Sequence, residues 1–377
     1  MRLIAAALLA LGMIASACSI STGPVAGATA TSGTSAARIA GTKAADLRVR
    51  LDVLLGEQVF IVAKESAAAV NHSDDYVPYA ALLTNNTAEL GALLRLAFGD
   101  TAATQLMDTW SIQNGYLVDY AIGLVTHNQA KADGAMSGVE NGFVPQMAQL
   151  VTSLIQLPQD PVAQLLTEQV LEIKVMIDDE AAGSFGAMYP ALRTAYAQTH
   201  RLGDVLASGI AQKFPDKFPG DPSAGPVDSR VTLSVLLQES SYLSTMSTAA
   251  AAAHRDSERA AAVAALAANA AALEPAFGDV QGSSASARFA QAWQGRDDAL
   301  VAYATSGDAA ARQSLSQALT APLSGIAHVP ALAVRDQADA TVKVVDDQRS
   351  GSSAAVAGDD RAAATAMQPI ADALVEG

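Results

Sequence analysis

The chain has 377 residues, 50% of them hydrophobic and 16% charged, with a net charge of −15, one cysteine and five histidines. That apolar content excludes global disorder, and the acidic balance excludes a protein that must neutralise nucleic-acid phosphates. A single cysteine excludes an internal disulfide, a thiolate zinc cluster and an iron–sulfur centre, so composition points to no cofactor.

In chain order, Arg2, the apolar run Leu3 to Ile14 and the small residues Ala15, Ser16 and Ala17 precede Cys18. The run is shorter than the roughly 20 residues a membrane-spanning helix needs, so residues 1–18 read as a signal peptide. The small residues before Cys18 resemble a bacterial lipobox, with Ala15 where leucine is usual. The resemblance implies that Cys18 is diacylated and becomes the new N-terminus. Membrane lipid is then the first partner, and the location is the extracytoplasmic side of a bacterial cell membrane. The alternative is cleavage after Ala17 that leaves a free thiol. Residues 19–45, rich in Ser, Thr, Gly and Ala, read as a flexible tether.

An internal repeat follows. Arg48-Val-Arg-Leu-Asp-Val-Leu-Leu-Gly-Glu57 matches Arg230-Val-Thr-Leu-Ser-Val-Leu-Leu-Gln-Glu239 at an offset of 182. Ala97-Phe-Gly-Asp100 matches Ala276-Phe-Gly-Asp279 at 179, and Trp110 and Leu117-Val-Asp-Tyr120 match Trp293 and Leu300-Val-Ala-Tyr303 at 183. The dip to 179 reads as about one helical turn deleted from the second copy before Phe277. Asp178-Asp179 and Asp204-Val-Leu206 pair with Asp346-Asp347 and Asp372-Ala-Leu374 at 168. Between the copies, residues 216–227 form a Pro/Gly linker that no helix accepts. Repeat one is expected at 46–215 and repeat two at 228–377.

Apolar spacing within each copy is helical. Leu47, Leu51, Leu54, Leu55 and Val62 share one stripe, Leu106, Met107, Trp110, Leu117 and Leu124 a second, and Val162, Leu165, Leu166, Ile173 and Met176 a third. No alternating strand pattern competes. Gly99-Asp100 and Gly278-Asp279 read as helix stops, Asp160-Pro161 as a start, Pro190 as a first-turn residue or a kink, and Ala249 to Ala272 as an alanine-rich helix. The expected fold is all-α, two tandem homologous antiparallel bundles of about five to six helices each.

Polar residues interrupt these stripes. At about 100° per residue Gln58 falls near Leu51 and Val62, Gln113 between Trp110 and Leu117, and Gln169 between Leu165, Leu166 and Ile173. An amide buried without partners costs about 1–3 kcal/mol, so the three are expected to bond to each other, to Glu57 or to water. They form either a core network that fixes helix register or a ligand site. Glu57 and Glu239, beside the stripes, read as helix-interface acceptors, with a general base or proton carrier as the alternative.

The segments Leu54-Leu-Gly-Glu-Gln58, Trp110 to Tyr120, Leu166-Thr-Glu-Gln169, Tyr196-Ala-Gln198 and Gly203 to Ala207 resemble a group of exported bacterial helical proteins. Members often occur as repeats, and some carry a copper-amine-oxidase-like label. The resemblance implies histidines at the positions of Gln58, Gln113, Gln169 and Gln198, a set able to hold a transition metal or haem. Glutamine is a poor ligand for such metals, so no metal site is expected. In repeat two the equivalent positions are Ser240, Arg296, Gln337 and Ala366.

Arg296 with Asp297 and Asp298 reads as a surface or interdomain ion pair, and Asp178-Asp179-Glu180 and Asp346-Asp347 as solvated helix-end charges. The five histidines, never at i, i+4 spacing, read as surface residues near helix ends or loops. No nucleophile elbow, His-Glu-x-x-His pair, phosphate loop or dinucleotide fingerprint occurs. The expected function is that of a non-enzymatic envelope lipoprotein binding an unidentified protein or small molecule. A metal- or haem-handling bundle with a degenerate site is the alternative.

Overall fold

The structure, a computed structural model, describes residues 36–326 and 328–376. Cys18, the signal segment and most of the tether lie outside the described residues. Those described are helical, with no strand among them. In the first half, α1 spans Lys43–Val70, α2 Tyr76–Phe98, α3 Asp100–Val125 and α4 Gln129–Gly138, which continues through a π-turn, Val139–Phe143, into α5, Val144–Ile155. Then come α6, Gln159–Ala181, and α7, Phe185–Lys213. The second half holds α8 (Gly225–Ala252), α9 (Asp256–Gln281), α10 (Ser283–Ser306), α11 (Ala309–Thr320), α12 (Ala331–Ser350), α13 (Ser353–Thr365) and α14 (Gln368–Glu376). Each half thus has more helical segments than the stripes suggest, because the short pieces α4, α5, α11, α13 and α14 carry too few turns to show a period.

Helix ends follow from a few residues. Thr42 caps α1, its Oγ1 accepting from the Ala45 amide at 3.3 Å. His72, His127 and His254 stand in the left-handed region at φ 51°, 53° and 55° just beyond α1, α3 and α8. After His72 the Ser73 amide returns to the Ala68 carbonyl at 2.8 Å, and after His254 the Arg255 amide returns to Ala250 at 2.9 Å, satisfying the last carbonyls in the manner usually given to glycine. This turn divides the alanine-rich stretch 249–272 into two helices where composition alone suggests one.

The helix boundaries also correct the alignment of the halves. Gly99 closes α2 at φ 80° and Gly282 closes α9 at φ 85°, an offset of 183 that Asn86 and Asn269 share. Gly278 lies inside α9 rather than at its end. The four-residue deletion is therefore absent. The Ala-Phe-Gly-Asp match is not an equivalence, since Phe98 packs edge-on to Phe214 whereas Phe277 stacks on Phe289.

Two helices organise the packing. Helix α1 is wrapped by α2, α3, α6 and α7, while α8 is wrapped by α9, α10, α12, α13 and α14. They meet directly, Phe60 of α1 stacking on Tyr242 of α8 with centroids 5.0 Å apart, and contacts also join α7 to α9 and α2 to α13. The main apolar core runs without a break from Leu47, Trp110 and Ile173 to Leu243, Met246, Leu266 and Val356. The Pro/Gly segment is shorter than expected, since Gly225, Pro226 and Val227 open α8, where a first-turn proline is tolerated, and it is tied down: Pro219 O accepts from the Ala44 amide at 3.3 Å, Pro222 O from Arg48 Nη1 at 2.8 Å, and Phe218 is buried.

Candidate functional site

Helices α1 and α8 are enclosed on all sides over Leu54–Ser66 and Leu237–Thr248, so polar residues on these stretches meet other helices whichever way they point. On one side of α1, Gln58, Gln113 and Gln169 are fully buried. Gln58 Nε2 donates to Asn114 Oδ1 at 2.6 Å, Asn114 Nδ2 donates to Thr87 Oγ1 at 3.0 Å, and Gln169 Nε2 reaches Gln58 Oε1 at 3.5 Å. The amide of Gln113 and the Trp110 indole N–H have no hydrogen-bond partner among the described residues. Gln198 stands apart, donating to Glu168 Oε2 at 2.7 Å. The structure therefore joins Gln58 with Gln169, buries Gln113 beside α1, and leaves Gln198 outside the set.

Glu57 faces elsewhere. Its Oε1 accepts from Tyr242 OH at 2.9 Å and Arg361 Nε at 3.0 Å, and its Oε2 from Asn86 Nδ2 at 2.8 Å and Arg361 Nη2 at 2.9 Å. Four donor groups satisfy this buried carboxylate, three from Tyr242 and Arg361 of the second half and one from Asn86 of the first. Glu239 repeats the pattern in reverse: Arg193 Nε donates to Oε1 at 2.8 Å, and Asn269 Nδ2 to Oε2 at 2.6 Å. Arg193 and Arg361 stand 168 apart, the offset already carried by the matched aspartates, and Asn86 and Asn269 stand 183 apart. Reading those offsets outward would have found all four residues; the sequence reading missed them because it followed only the apolar stripes.

Crossed contacts recur at the helix starts. Arg48 bonds Asp204 and Asp228, while Arg230 bonds Asp372 at 2.8 Å and Asp46. Deeper in the same interface, Asp360 on α13 accepts from Lys64 Nζ at 2.7 Å, Tyr79 OH at 3.0 Å and Thr245 Oγ1 at 2.6 Å, drawing α1, α2, α8 and α13 together. Tyr120 bonds Asp178 and Tyr303 bonds Asp346, so these aspartates brace helices instead of standing free in solvent.

Several buried groups carry shifted titrations. Asp52 is fully buried with Arg48 Nε 3.9 Å away and no hydrogen-bond partner for either oxygen among the described residues; burial and then Asp204 raise its pKa well above the usual carboxylate range. Gly203 packs directly against that carboxylate, where a Cβ would collide with Oδ1. Burial holds Glu65 up to about 7, and burial with Glu258 nearby holds Glu180 up to about 8, so Glu180 is not a solvated helix-end charge. His200 also departs from the surface reading. Its Nε2 is enclosed without a partner among the described residues, its ring lies edge-on to Tyr196 at 4.4 Å, and burial pushes its pKa down to about 4.

In the second half Arg296, which corresponds to Gln113, is 1% exposed rather than at a surface. Its guanidinium lies 4.7 Å from the Trp293 ring centroid, and Nη1 donates to Ser244 Oγ at 3.1 Å and to Asp297. Gln337 donates to Thr341, and Trp293 Nε1 to Ser240 Oγ at 3.3 Å. Among the described residues no group of three or more His, Cys, Asp or Glu side chains is placed to hold a metal ion. Chemically, Glu57, Glu239 and Asp360 are engaged as bracing, while the Asp52 carboxyl and the Gln113 amide are buried without a hydrogen-bond partner among the described residues. The chain matches no family model, and no curated protein or solved structure shows significant similarity to it.

Proposed function

We propose that the chain is an envelope lipoprotein, held on the extracytoplasmic side of a bacterial cell membrane through acylated Cys18, that acts as a non-catalytic binding or scaffolding module. In this reading two homologous antiparallel bundles close on one another and move as one body. The observation that carries it is the reciprocal bracing of buried acids, Glu57 by Arg361 and Glu239 by Arg193, each arginine coming from the opposite half. A carboxylate saturated by a guanidinium and an amide is a poor proton acceptor, so the residues best placed for general-base chemistry serve as joints. The lone cysteine directly after the small residues of the lipobox-like stretch supports the anchor, and two acyl chains give stable membrane attachment.

Labelled palmitate tests the anchor. The full chain expressed in its bacterial host should incorporate label and sediment with membranes, and Cys18→Ala should do neither. Label persisting in Cys18→Ala refutes the anchor.

A further inference from the structure

The clefts between the second and third helices of each half differ. In the first half, α2 and α3 are knitted shut: Asn114 Nδ2 donates to Thr87 Oγ1 at 3.0 Å, and the Met107 side chain lies where a Cβ on Gly91 would meet its Cγ at 2.7 Å. At the offset of 183 their counterparts on α9 and α10 are Asp297, Ala270, Ala290 and Glu274. The hydroxyl and the methionine that fill the first cleft are both replaced by alanine. What results is a groove of about 560 Å³ between α9 and α10, within the size range of small-molecule sites. Its walls are largely apolar, Leu266 and Ala270 on α9 facing Ala290 and Val301 on α10.

Its charge is of one sign. Glu274, Asp297 and Asp298 line it, and no lysine, arginine or histidine does among the described residues. Asp297 is the most telling of the three. It is 9% exposed, its Oδ1 accepts from Arg296 Nη1, and its Oδ2 has no hydrogen-bond partner among the described residues. Arg296 behind the wall pairs with Asp297, while Glu274 and Asp298 have no paired cation among the described residues, so this apolar groove complements a ligand with an apolar body and a positive head.

We propose that the α9–α10 groove is a binding site for a small amphiphilic amine, an alkyl chain or similar apolar body bearing an ammonium group. The proposal rests on the reading of the chain as a binding module and is independent of the anchor. Acylation of Cys18 and occupation of the groove are measured by separate assays, so failure of one is distinguishable from failure of the other.

The test is calorimetric titration of the full chain, kept in solution with amphipol, with octylammonium, octanoate and octanol. The groove-filling variant Ala290→Met absorbs any adsorption to the amphipol, since it shares that background. Octylammonium should bind one to one and at least tenfold more tightly than octanoate. Ala290→Met should weaken it at least tenfold, and Glu274→Gln with Asp298→Asn should weaken octylammonium several-fold while leaving octanol unchanged. Ala270→Thr with Asp297→Asn, which restores the closing pair of the first cleft, is a second variant should Ala290→Met unfold. Equal binding of octanoate, or octylammonium binding unaffected by both closing variants, overturns the proposal. So does a concentration-dependent dimer by light scattering that Ala290→Met abolishes, because the groove would then be a contact between copies.

Discussion

Truncating Arg361 or Arg193 to alanine removes one brace each, and the structure ranks the two. Arg361 and Glu57 have side chains 17% and 4% exposed, Arg193 and Glu239 26% and 4%, so both acids are left buried when the arginine goes. Breaking a buried pair by deleting one partner costs about 3–5 kcal/mol. Among the described residues Glu57 then keeps two donors, Tyr242 at 2.9 Å and Asn86 at 2.8 Å, whereas Glu239 keeps only Asn269 at 2.6 Å. The difference arises because the residue corresponding to Tyr242 in the first half is Phe60, which has no hydroxyl. Arg361→Ala should therefore fall near the lower figure and Arg193→Ala above it. At about 2.1 cal/mol/K of unfolding entropy per residue, a chain of this length loses about 4 °C of Tm for about 3 kcal/mol. Urea unfolding followed by circular dichroism gives the free energies, and a cycle with Glu57→Gln isolates the pair. A loss under about 0.5 kcal/mol for both variants, or Arg361→Ala costing clearly more than Arg193→Ala, refutes the reasoning.

Stability should fall as pH rises from 6.5 to 8. Glu65 and Glu180, held up to about 7 and about 8, keep protons in the folded state that the unfolded chain has already released, so ionising them favours unfolding. His200, pushed down to about 4, acts in the opposite sense but only below its usual 6.5, outside this window. The urea midpoint should drop across it and Glu180→Gln should flatten the slope; a rising midpoint contradicts the assignment. Asp52→Ser introduces the residue found at the matched position, Ser234, which donates to Arg230 O at 2.8 Å. Relief of an unpartnered buried carboxylate should stabilise the protein at pH 7 by about 1–3 kcal/mol, and a lower urea midpoint counts against it. Gly56→Ala puts a Cβ 2.5 Å from Tyr196 Cε2 and should cost about 1–3 kcal/mol. Gly115→Ala, with nothing within 4 Å, should gain about 0.5–1 kcal/mol, and equal Tm shifts for the two would refute the packing described.

The helical class was legible because the stripes through Leu51, Trp110 and Ile173 are long, and a period of 3.6 is unambiguous over several turns. The inward placement of Gln58, Gln113 and Gln169 followed from the same wheel. Its limits are equally physical. Helices α13 and α14 have 13 and 9 residues, too short for a period to declare itself. The break at His254 depends on one left-handed backbone residue inside an alanine-rich run, which composition does not reveal. The wheel places Gln113 facing inward, but a charge at the equivalent position, Arg296, read as a surface or interdomain pair, whereas its guanidinium is buried over Trp293. Glu57 and Glu239 were recognisable as shared acids, while their arginine partners were visible only through the offset of 168 and their asparagine partners through that of 183.

Differential scanning calorimetry of the full chain tests most directly the claim that the two halves act as one body. A continuous core and crossed ion pairs predict a single transition whose calorimetric and van't Hoff enthalpies agree. Two resolved transitions in the wild-type chain, one for each half, would contradict it.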